Sequence, residues 1–349
     1  MTTPTDATRG FAILRGDVND AASTAAAAER LGYHAAWSPE FYTRSAIVSL
    51  AAMAQVTSTA RIGSSIAYAV GRTPLVLATE ARSLDELSRG RLIYGLGTGT
   101  TKMMAGWHGV DPSGPASRME ELIPLLRSLW RLHEGPVRHD GRFYHVDVTP
   151  TAEMTPPPRT DIPVYTAGVN TRMVQVAGRV SDGFLGHPLF SARYYDDVVR
   201  PAIAAGAAKT GREAKGVQVA GLVICSVSDD EAQARREVAA QIAFYAAPRT
   251  YGTVIEVAGF ADAGERIREA FGSRDFDAMA AAVPDAMVDA IAAAGTPAQV
   301  AAKLEEIGRH MDHVIVYPAS FGMTAERSQQ VTADLLAAGA PVASPSLER

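Results

Sequence analysis

The sequence predicts an α/β protein with a TIM-like (β/α)8 barrel that carries insertions. Three observations predict this fold. Short apolar segments alternate with amphipathic, alanine-rich segments along most of the chain, which is the pattern of βα units around a parallel sheet. Eight such pairs can be counted, and 349 residues fit one barrel with insertions. Hydrophobic residues make up 47% of the chain, enough for a large core.

The predicted strands are the eight short apolar segments, at residues 11–14, 35–38, 62–68, 92–95, 164–167, 183–185, 217–225 and 313–317. The predicted helices lie at residues 20–31, 46–57, 74–88, 116–132, 171–179, 192–209, 297–309 and 324–338. The pairing of each strand with a following helix is what closes a barrel.

Two segments interrupt this repeat within a predicted single domain, residues 1–349. Residues 135–158 contain a Gly141 turn followed by three prolines, which predicts a small hairpin and a rigid return. Residues 226–295 are interpreted as an insertion over the barrel mouth, with helices predicted at 229–246 and 276–293. The tail, about 340–349, has the composition of a disordered segment.

Composition excludes several classes of function. The formal net charge of −5 gives no basic field for nucleic acid. The N-terminus lacks a signal-peptide core and no apolar stretch has the length of a membrane span, so we expect a cytoplasmic protein. Cys225 lies in an apolar run and is predicted to be a buried thiol. The eight histidines show no close ligand pair, so no metal site is predicted.

In a barrel, functional residues follow the carboxyl ends of the strands. Glu40 follows the second strand, and either anchors a ring, shuttles a proton or caps a helix. His108 and His187 fall in loops on the same face and are candidate proton donors or acceptors. Met103, Met104 and Trp107 either line an apolar pocket or fill the core.

Two glycine-containing stretches could approach a ligand closely. GLGTGTTK contains Gly97, Thr98 and Gly99, but lacks the spacing of a phosphate loop, and no helix is predicted directly after it. Gly168-Val169-Asn170-Thr171 opens a predicted helix, whose first amides have no acceptor and attract an anion. An ordinary Asn or Thr cap is the alternative.

Longer stretches carry a family resemblance. RIGSSIAYAVGRTPLVLATEARSLDELSRGRLIYGLGTGT, RMEELIPLLRSLWR and DIPVYTAGVNTRMVQVAGRVSDGFLGHP together resemble the luciferase-like monooxygenase superfamily, nearest its coenzyme F420-dependent oxidoreductase branch. The resemblance runs from about residue 10 to 338.

The resemblance implies a flavin or deazaflavin across the barrel mouth. It implies a non-prolyl cis peptide at Ser65-Ile66 behind the ring and a phosphate site at residues 168–171. On this basis we expect Glu40 and Tyr68 to contact the ring or the substrate. Two positions depart from the branch's sugar-phosphate dehydrogenases, because Phe41 stands where they have histidine and Thr100 where they have glutamate. The resemblance therefore does not predict that this protein oxidises a sugar phosphate.

The resulting functional hypothesis is an F420-dependent oxidoreductase that exchanges a hydride between the coenzyme C5 and a small to medium organic substrate. Catalytic roles are assigned to Glu40, His108 and His187. The alternative is a two-component monooxygenase that uses reduced FMN, and the third hypothesis is a non-catalytic flavin-binding protein. Dimers are common among similar proteins, so a homodimer is expected.

Overall fold

The computed structural model of this protein describes residues 7–341. The predicted disordered tail therefore falls, from residue 342 onward, outside the described residues. The strands within the described range are β1 (Thr8–Ala12), β2 (Ala35–Ser38), β3 (Arg61–Ser64), β4 (Ala67–Tyr68), β5 (Leu92–Gly97), β6 (Val137–Asp140), β7 (His145–Val148), β8 (Val164–Ala167), β9 (Gly183–Gly186), β10 (Gln218–Val227), β11 (Ala292–Gly295) and β12 (His313–Pro318).

The α-helices of the same range are α1 (Val18–Arg30), α2 (Ala46–Val56), α3 (Pro74–Leu87), α4 (Thr101–Gly106), α5 (Pro115–Trp130), α6 (Thr171–Val180), α7 (Ala192–Tyr194), α8 (Arg200–Ala208), α9 (Glu231–Ala246), α10 (Gly252–Val257), α11 (Ala261–Gly272), α12 (Phe276–Ala281), α13 (Asp285–Ile291), α14 (Pro297–Gly308) and α15 (Ala325–Ala338). A π-helical turn, Tyr195–Val199, joins α7 to α8.

Helix starts follow local capping chemistry. The Asp17 side chain accepts from two amides at the start of α1, and Thr73 and Thr296 each precede a proline at the first helical position. The side-chain oxygen satisfies an amide that has no acceptor inside the helix. These starts agree with the predicted ones to within two residues.

The parallel strands and their helices form the predicted TIM-like (β/α)8 barrel, and each of the eight predicted strands overlaps an observed one. The described chain divides into two compact units. The first unit contains residues 7–36, 186–200 and 219–341, and the second contains residues 37–185 and 201–218. The assignment of the whole chain to one domain stays a prediction.

The first unit has a parallel sheet in which β12 lies between β1 and β10, and β11 pairs with β10. Phe11 and Tyr33 pack edge to face beneath this sheet, with ring centroids 5.5 Å apart. The Tyr33 hydroxyl donates to the Leu335 carbonyl at 3.2 Å, which ties α15 to the core. Cys225 is buried here as predicted, and burial raises the pKa of its thiol to about 12.

In the second unit β5 pairs in parallel with β3, β4 and β8, and β8 pairs with β9. Gly95 is required in the middle of β5, since a Cβ there would lie 1.8 Å from the Ser64 carbonyl oxygen. The predicted hairpin is confirmed as the antiparallel pair β6 and β7.

Three differences from the predicted elements have local causes. The third predicted strand is interrupted at residues 65 and 66, which separates β3 from β4. The helix predicted over 276–293 is two helices, α12 and α13, because Pro284 between them cannot continue a helix. The second of these ends at Ile291, because the alanines that follow pair with β10 as β11. Helices α10 and α11 lie within the predicted insertion and were not predicted, since their apolar spacing is short and interrupted by glycine.

Candidate functional site

In the second unit, the chain between β3 and β4 contains the cis Ser65–Ile66 peptide, as the resemblance implied. Two backbone bonds fix this segment: the Ser65 amide donates to the Ser38 carbonyl, and the Glu40 amide donates to the Ile66 carbonyl, both at 2.9 Å. The segment from Ser65 to Tyr68, called the bulge below, is therefore held against the end of β2.

The Glu40 carboxylate holds the far end of the bulge. One of its oxygens accepts from the Tyr68 amide at 2.8 Å and from Arg72 Nη1 at 2.7 Å, and the other accepts from Arg72 Nη2 at 2.5 Å. Arg72 Nη1 also donates to the Tyr68 carbonyl at 3.2 Å. Only 9% of the Glu40 side chain is exposed. Both carboxylate oxygens are engaged, so the geometry favours a positioning role for Glu40 over that of a free base.

A second carboxylate completes this buried charge cluster. Glu80 Oε2 lies 3.2 Å from Arg72 Nε, so one guanidinium faces two carboxylates. Burial raises the pKa of Glu80, and the hydrogen bond with Glu40 raises the pKa of Arg72. Burial likewise raises the pKa of Tyr94, whose hydroxyl is enclosed without a hydrogen-bond partner in the described chain. No sequence motif marks Glu80, Arg72 or Tyr94 as a group, because only the packing of α3 against the bulge and β5 brings them together.

The glycine-containing stretch lies against the bulge. A Cβ on Gly97 would meet Ile66 Cδ1 at 2.6 Å, and Gly99 has a φ of +69°. Thr100 caps a helix directly, since its Oγ1 accepts from the Met103 amide at 3.2 Å. The expectation that no helix follows GLGTGTTK was wrong, because α4 begins at Thr101. This helix is only six residues long, too short to show a clear apolar period.

One polar atom of the bulge is left over. Ser65 Oγ is buried and makes no hydrogen bond to any group within residues 7–341. A buried hydroxyl without a partner is costly, so it marks a place where a bound molecule would supply the missing group.

Three aromatic side chains beside the bulge are exposed. Phe41, Tyr42 and Trp107 expose 42%, 72% and 42% of their surface, and the Trp107 ring stands perpendicular to the other two at 5.2 and 5.3 Å. Met104, a candidate for the same pocket, is instead in the core at 1% exposure. Phe41, at the place of the branch's histidine, thus belongs to an apolar wall.

His108 packs on the other side of Tyr68, with ring centroids 4.7 Å apart. Its Nε2 atom is buried and has no hydrogen-bond partner among the described residues. A Cβ on Gly71, which has a φ of +80°, would lie 2.7 Å from His108 Nδ1. The second unit therefore brings Glu40 and His108, both predicted site residues, to the same tyrosine of the bulge.

The entrance of α6 contains the predicted residues 168–171. Asn170 is the cap, and its Oδ1 accepts from the Met173 amide at 2.9 Å. The amides of Thr171 and Arg172 remain without an acceptor inside the helix. A Cβ on Gly168 would lie 2.1 Å from Met173 Cγ, so this glycine is required by packing whether or not a ligand binds. The cap is present, and the anion site stays a prediction.

His187 lies in the first unit, in the loop after β9, among aromatic rings. Its ring centroid is 4.4 Å from that of Tyr251 and 5.0 Å from that of Tyr245. Nδ1 accepts from the Leu189 amide at 3.2 Å. Burial lowers the pKa of His187 to about 3, so the ring is neutral near pH 7 and carries its proton on Nε2.

Two tyrosines from distant parts of the chain meet beside His187. The hydroxyls of Tyr245 in α9 and Tyr317 in β12 are 2.5 Å apart. Burial raises the pKa of both phenols. Tyr317 lies at a predicted strand end, and this position alone could have made it a candidate site residue. Tyr245 lies in the predicted insertion, where no sequence feature distinguishes it.

Two further features are absent from the described part of the chain. Within residues 7–341, no cluster of three or more His, Cys, Asp or Glu side chains is arranged to hold a metal ion. None of the helices in that range is long and apolar enough to cross a membrane.

Comparison with known proteins identifies the family. Residues 3–312 match the model of the luciferase-like monooxygenase family, which covers well over half of the chain. The chain belongs to this family. It is an oxidoreductase, as predicted. A relative in Mycobacterium tuberculosis, itself uncharacterised, is 32% identical over 290 residues, covering 81% of this chain and 85% of that protein.

Solved structures of the family match the whole fold. The coenzyme F420-dependent tetrahydromethanopterin reductase of Methanopyrus kandleri has a TM-score of 0.78 at 25% identity, covering 95% of this chain and 98% of that one. The oxygenating constituent of 3,6-diketocamphane monooxygenase of Pseudomonas putida, in complex with FMN, has a TM-score of 0.70 at 16% identity, covering 98% and 99%. The second likeness concerns the fold alone.

Proposed function

We propose that this protein is a coenzyme F420-dependent oxidoreductase that transfers a hydride between the coenzyme and a small to medium organic substrate. The observation that carries the proposal is the buried Ser65 hydroxyl of the bulge, which has no hydrogen-bond partner among the described residues, beside Gly97, which has no side chain. The similarity to the F420-dependent reductase of Methanopyrus kandleri supports the choice of coenzyme.

The residues present fit a flat ring. The bulge meets β5 where Gly97 leaves no side chain, and the enclosed Ser65 Oγ needs an acceptor or donor from outside the protein. The ring would be held by Ser65, Ile66, Tyr68, Gly97, Thr98 and Gly99. When bound, the deazaflavin supplies hydride chemistry at its C5.

Phosphate would be held at the start of α6 by Gly168, Val169, Asn170 and Thr171. The amides of Thr171 and Arg172 and the helix dipole favour negative charge there. Arg172 itself is engaged with Glu120, at 2.7 Å from Nη2 to Oε2, so its side chain contributes little free charge.

The remaining side chains of the second unit act by position. Arg72 fixes Glu40, and Glu40 fixes the Tyr68 amide, so this charge cluster keeps the bulge in shape. His108 Nε2 is the group available to hold or move a proton beside Tyr68. Phe41, Tyr42 and Trp107 offer an apolar wall to the substrate and keep water away.

The second candidate is a reduced-FMN-dependent monooxygenase, favoured by the fold shared with an FMN-binding monooxygenase. Titration of the purified protein with coenzyme F420 and with FMN, each in oxidised and reduced form, distinguishes the two by absorbance and fluorescence. We expect saturable binding of coenzyme F420 with a dissociation constant below about 10 μM. This corresponds to a favourable binding free energy of about 7 kcal/mol or more. Binding of FMN alone, with oxygen consumed when a substrate is added, would overturn the proposal.

Asn170→Asp tests the phosphate site without removing the cap. Aspartate caps a helix as well as asparagine does, so the fold is kept, but its charge repels a phosphate. We expect coenzyme affinity to fall about tenfold or more. Thr324→Asp, at the cap of α15, is the matched control, since Thr324 Oγ1 accepts from the Arg327 amide in the same way. Equal coenzyme affinity in both variants would show that the phosphate does not bind at the start of α6.

We also propose that the protein is a homodimer. Helices α2 and α3 carry exposed apolar side chains, and α2 has no charged residue at all. The exposed members are Val48, Val56, Leu75, Val76 and Leu87. The exposed apolar residues of the uncharged α2 and of the neighbouring α3 can pair with the same residues of a second copy. Sedimentation velocity is expected to give twice the monomer mass, and Val48→Glu to give the monomer; a monomeric wild type would exclude the dimer.

A further inference from the structure

The first unit contains a group of hydrogen-bond donors that no part of the coenzyme proposal uses. His187, Tyr245 and Tyr317 come from the loop after β9, from α9 and from the end of β12, and we call them the donor cluster. Each is partly accessible, although burial makes their ionised forms unfavourable. All three are therefore uncharged near neutral pH.

The donor cluster contains polar hydrogens that no group among the described residues accepts. In the Tyr245–Tyr317 pair one hydroxyl donates to the other at 2.5 Å, which uses one of two hydrogens and leaves one. His187 uses Nδ1 as an acceptor from the Leu189 amide, so its only hydrogen is on Nε2. Within residues 7–341 no group accepts from that Nε2–H. Two polarised hydrogens thus remain available at one place.

The electrostatic surroundings favour an electron-rich acceptor. The charged group that acts on Tyr317 is Arg15, which lowers the pKa of that phenol against the larger effect of burial. Arg15 is held nearby through its bond to the Ser320 carbonyl at 2.7 Å. Each phenol also affects the pKa of the other. Donors in such a site stabilise negative charge that develops on an oxygen.

The rings around the donors define the rest of the ligand. Tyr251 lies 4.4 Å from the His187 ring and tilted by 31°, and Phe190 lies 6.3 Å from it. Phe190 is buried and Tyr251 is partly accessible, so Tyr251 offers the apolar surface for a ring-containing or otherwise apolar molecule. We propose that the donor cluster binds an uncharged organic ligand through its carbonyl oxygen, with Tyr245, Tyr317 and His187 as donors.

Binding of such a ligand stands on the geometry of the first unit alone. The proposed coenzyme site belongs to the second unit, so the ligand proposal and the coenzyme proposal can fail independently of each other. The two are separated by measuring carbonyl binding both without coenzyme and with saturating oxidised coenzyme F420. If the coenzyme does not bind, carbonyl binding by the donor cluster can still be tested. If the carbonyl does not bind, coenzyme binding can still be tested.

The probe is acetophenone labelled with carbon-13 at the carbonyl, observed by difference infrared spectroscopy with the purified full-length protein. A hydrogen bond to the carbonyl oxygen lowers its stretching frequency. We expect a saturable downshift with the wild type in at least one of the two conditions. A wild-type spectrum without any downshift in both conditions overturns the proposal.

Tyrosine-to-phenylalanine variants test the pair itself. Tyr245→Phe and Tyr317→Phe each leave one hydroxyl, whose hydrogen is then free for the ligand, so each keeps a smaller downshift. The double variant has no hydroxyl left, and its affinity for the probe is expected to fall about tenfold.

Tyr195→Phe is the matched control, because it removes a phenol hydroxyl of the first unit that is buried, has no hydrogen-bond partner within residues 7–341 and does not belong to the donor cluster. It is expected to keep both the downshift and the affinity. Thermal melting followed by circular dichroism checks that each variant is folded. If the double variant does not fold, the reduced downshift of the single variants decides, and an undiminished downshift in both of them overturns the assignment to the pair.

Discussion

The charge cluster of the second unit and the donor cluster of the first unit differ in how their polar atoms are used. In the charge cluster the Arg72 guanidinium contacts Glu40, Glu80 and the Tyr68 carbonyl. In the donor cluster the two phenols bond to each other and His187 accepts from the Leu189 amide, but one phenol hydrogen and the His187 Nε2 hydrogen have no acceptor among the described residues. Fully partnered buried charges hold a backbone in place, whereas uncharged donors without acceptors are suited to a ligand.

The largest expected effect comes from breaking the charge cluster. Arg72→Met leaves the Glu40 and Glu80 carboxylates without their cation, and we expect the free energy of unfolding to fall by about 3 kcal/mol in urea titrations. Adding Glu40→Gln should restore part of this loss. Arg138→Met is the control, since Arg138 and Asp147 are 75% and 70% exposed and their pair contributes less than about 0.5 kcal/mol. Equal losses in the two arginine variants would show that Arg72 is not specially placed.

The neutral His187 predicts a dependence of stability on pH. Burial lowers the pKa of His187 to about 3, while the unfolded chain titrates near the ordinary value of 6.5. Between these values the unfolded state binds one more proton than the folded state, so stability falls as pH is lowered, by about 1.4 kcal/mol per pH unit below 6.5. His187→Asn keeps an acceptor for the Leu189 amide and removes this contribution. The difference between the two proteins should be constant above pH 7, and the wild type should lose stability relative to the variant as the pH falls towards 5. A difference that stays constant from pH 7 to pH 5 would contradict the neutral histidine.

A smaller effect is expected within the donor cluster. Tyr317→Phe removes one uncharged hydrogen bond and leaves the Tyr245 hydroxyl with access to a ligand or water, so the loss of stability should be about 1 kcal/mol. Urea titrations of Tyr317→Phe and Arg72→Met, done in parallel, check that the free energy of unfolding falls less in the tyrosine variant. A loss as large as that of the arginine variant would mean that the pair is a structural tie.

The smallest effect on stability is expected at the bulge. Ser65 Oγ has no partner among the described groups, so Ser65→Ala should change the free energy of unfolding by less than about 0.5 kcal/mol. Its affinity for coenzyme F420 should nevertheless fall about fivefold, because the hydroxyl then lost is the one a ligand would satisfy. Ser113→Ala, in an exposed loop, is the control. Unchanged coenzyme affinity in both variants would remove Ser65 from the coenzyme site.

The element pattern was largely predictable because it is set by local rules. Caps such as Thr73 and Thr296 fix helix starts within a few residues, and alternation of apolar segments fixes the parallel sheet. The short strand β11 and the six-residue helix α4 were not predicted, because neither is long enough for a period to appear. The cis Ser65–Ile66 peptide was predicted only through the family motif, since no local rule marks it.

The sequence by itself therefore determined the barrel, the family and the chemical types present at each strand end. Only the tertiary structure decided which of those side chains are already occupied. Glu40 and Arg72 are 32 residues apart, and Tyr245 and Tyr317 are 72 residues apart. Helix caps and apolar periods act over three or four residues, whereas these pairs depend on how distant elements pack. Hence a glutamate that looks like a base in the sequence is held by an arginine, and a tyrosine without any motif becomes a donor.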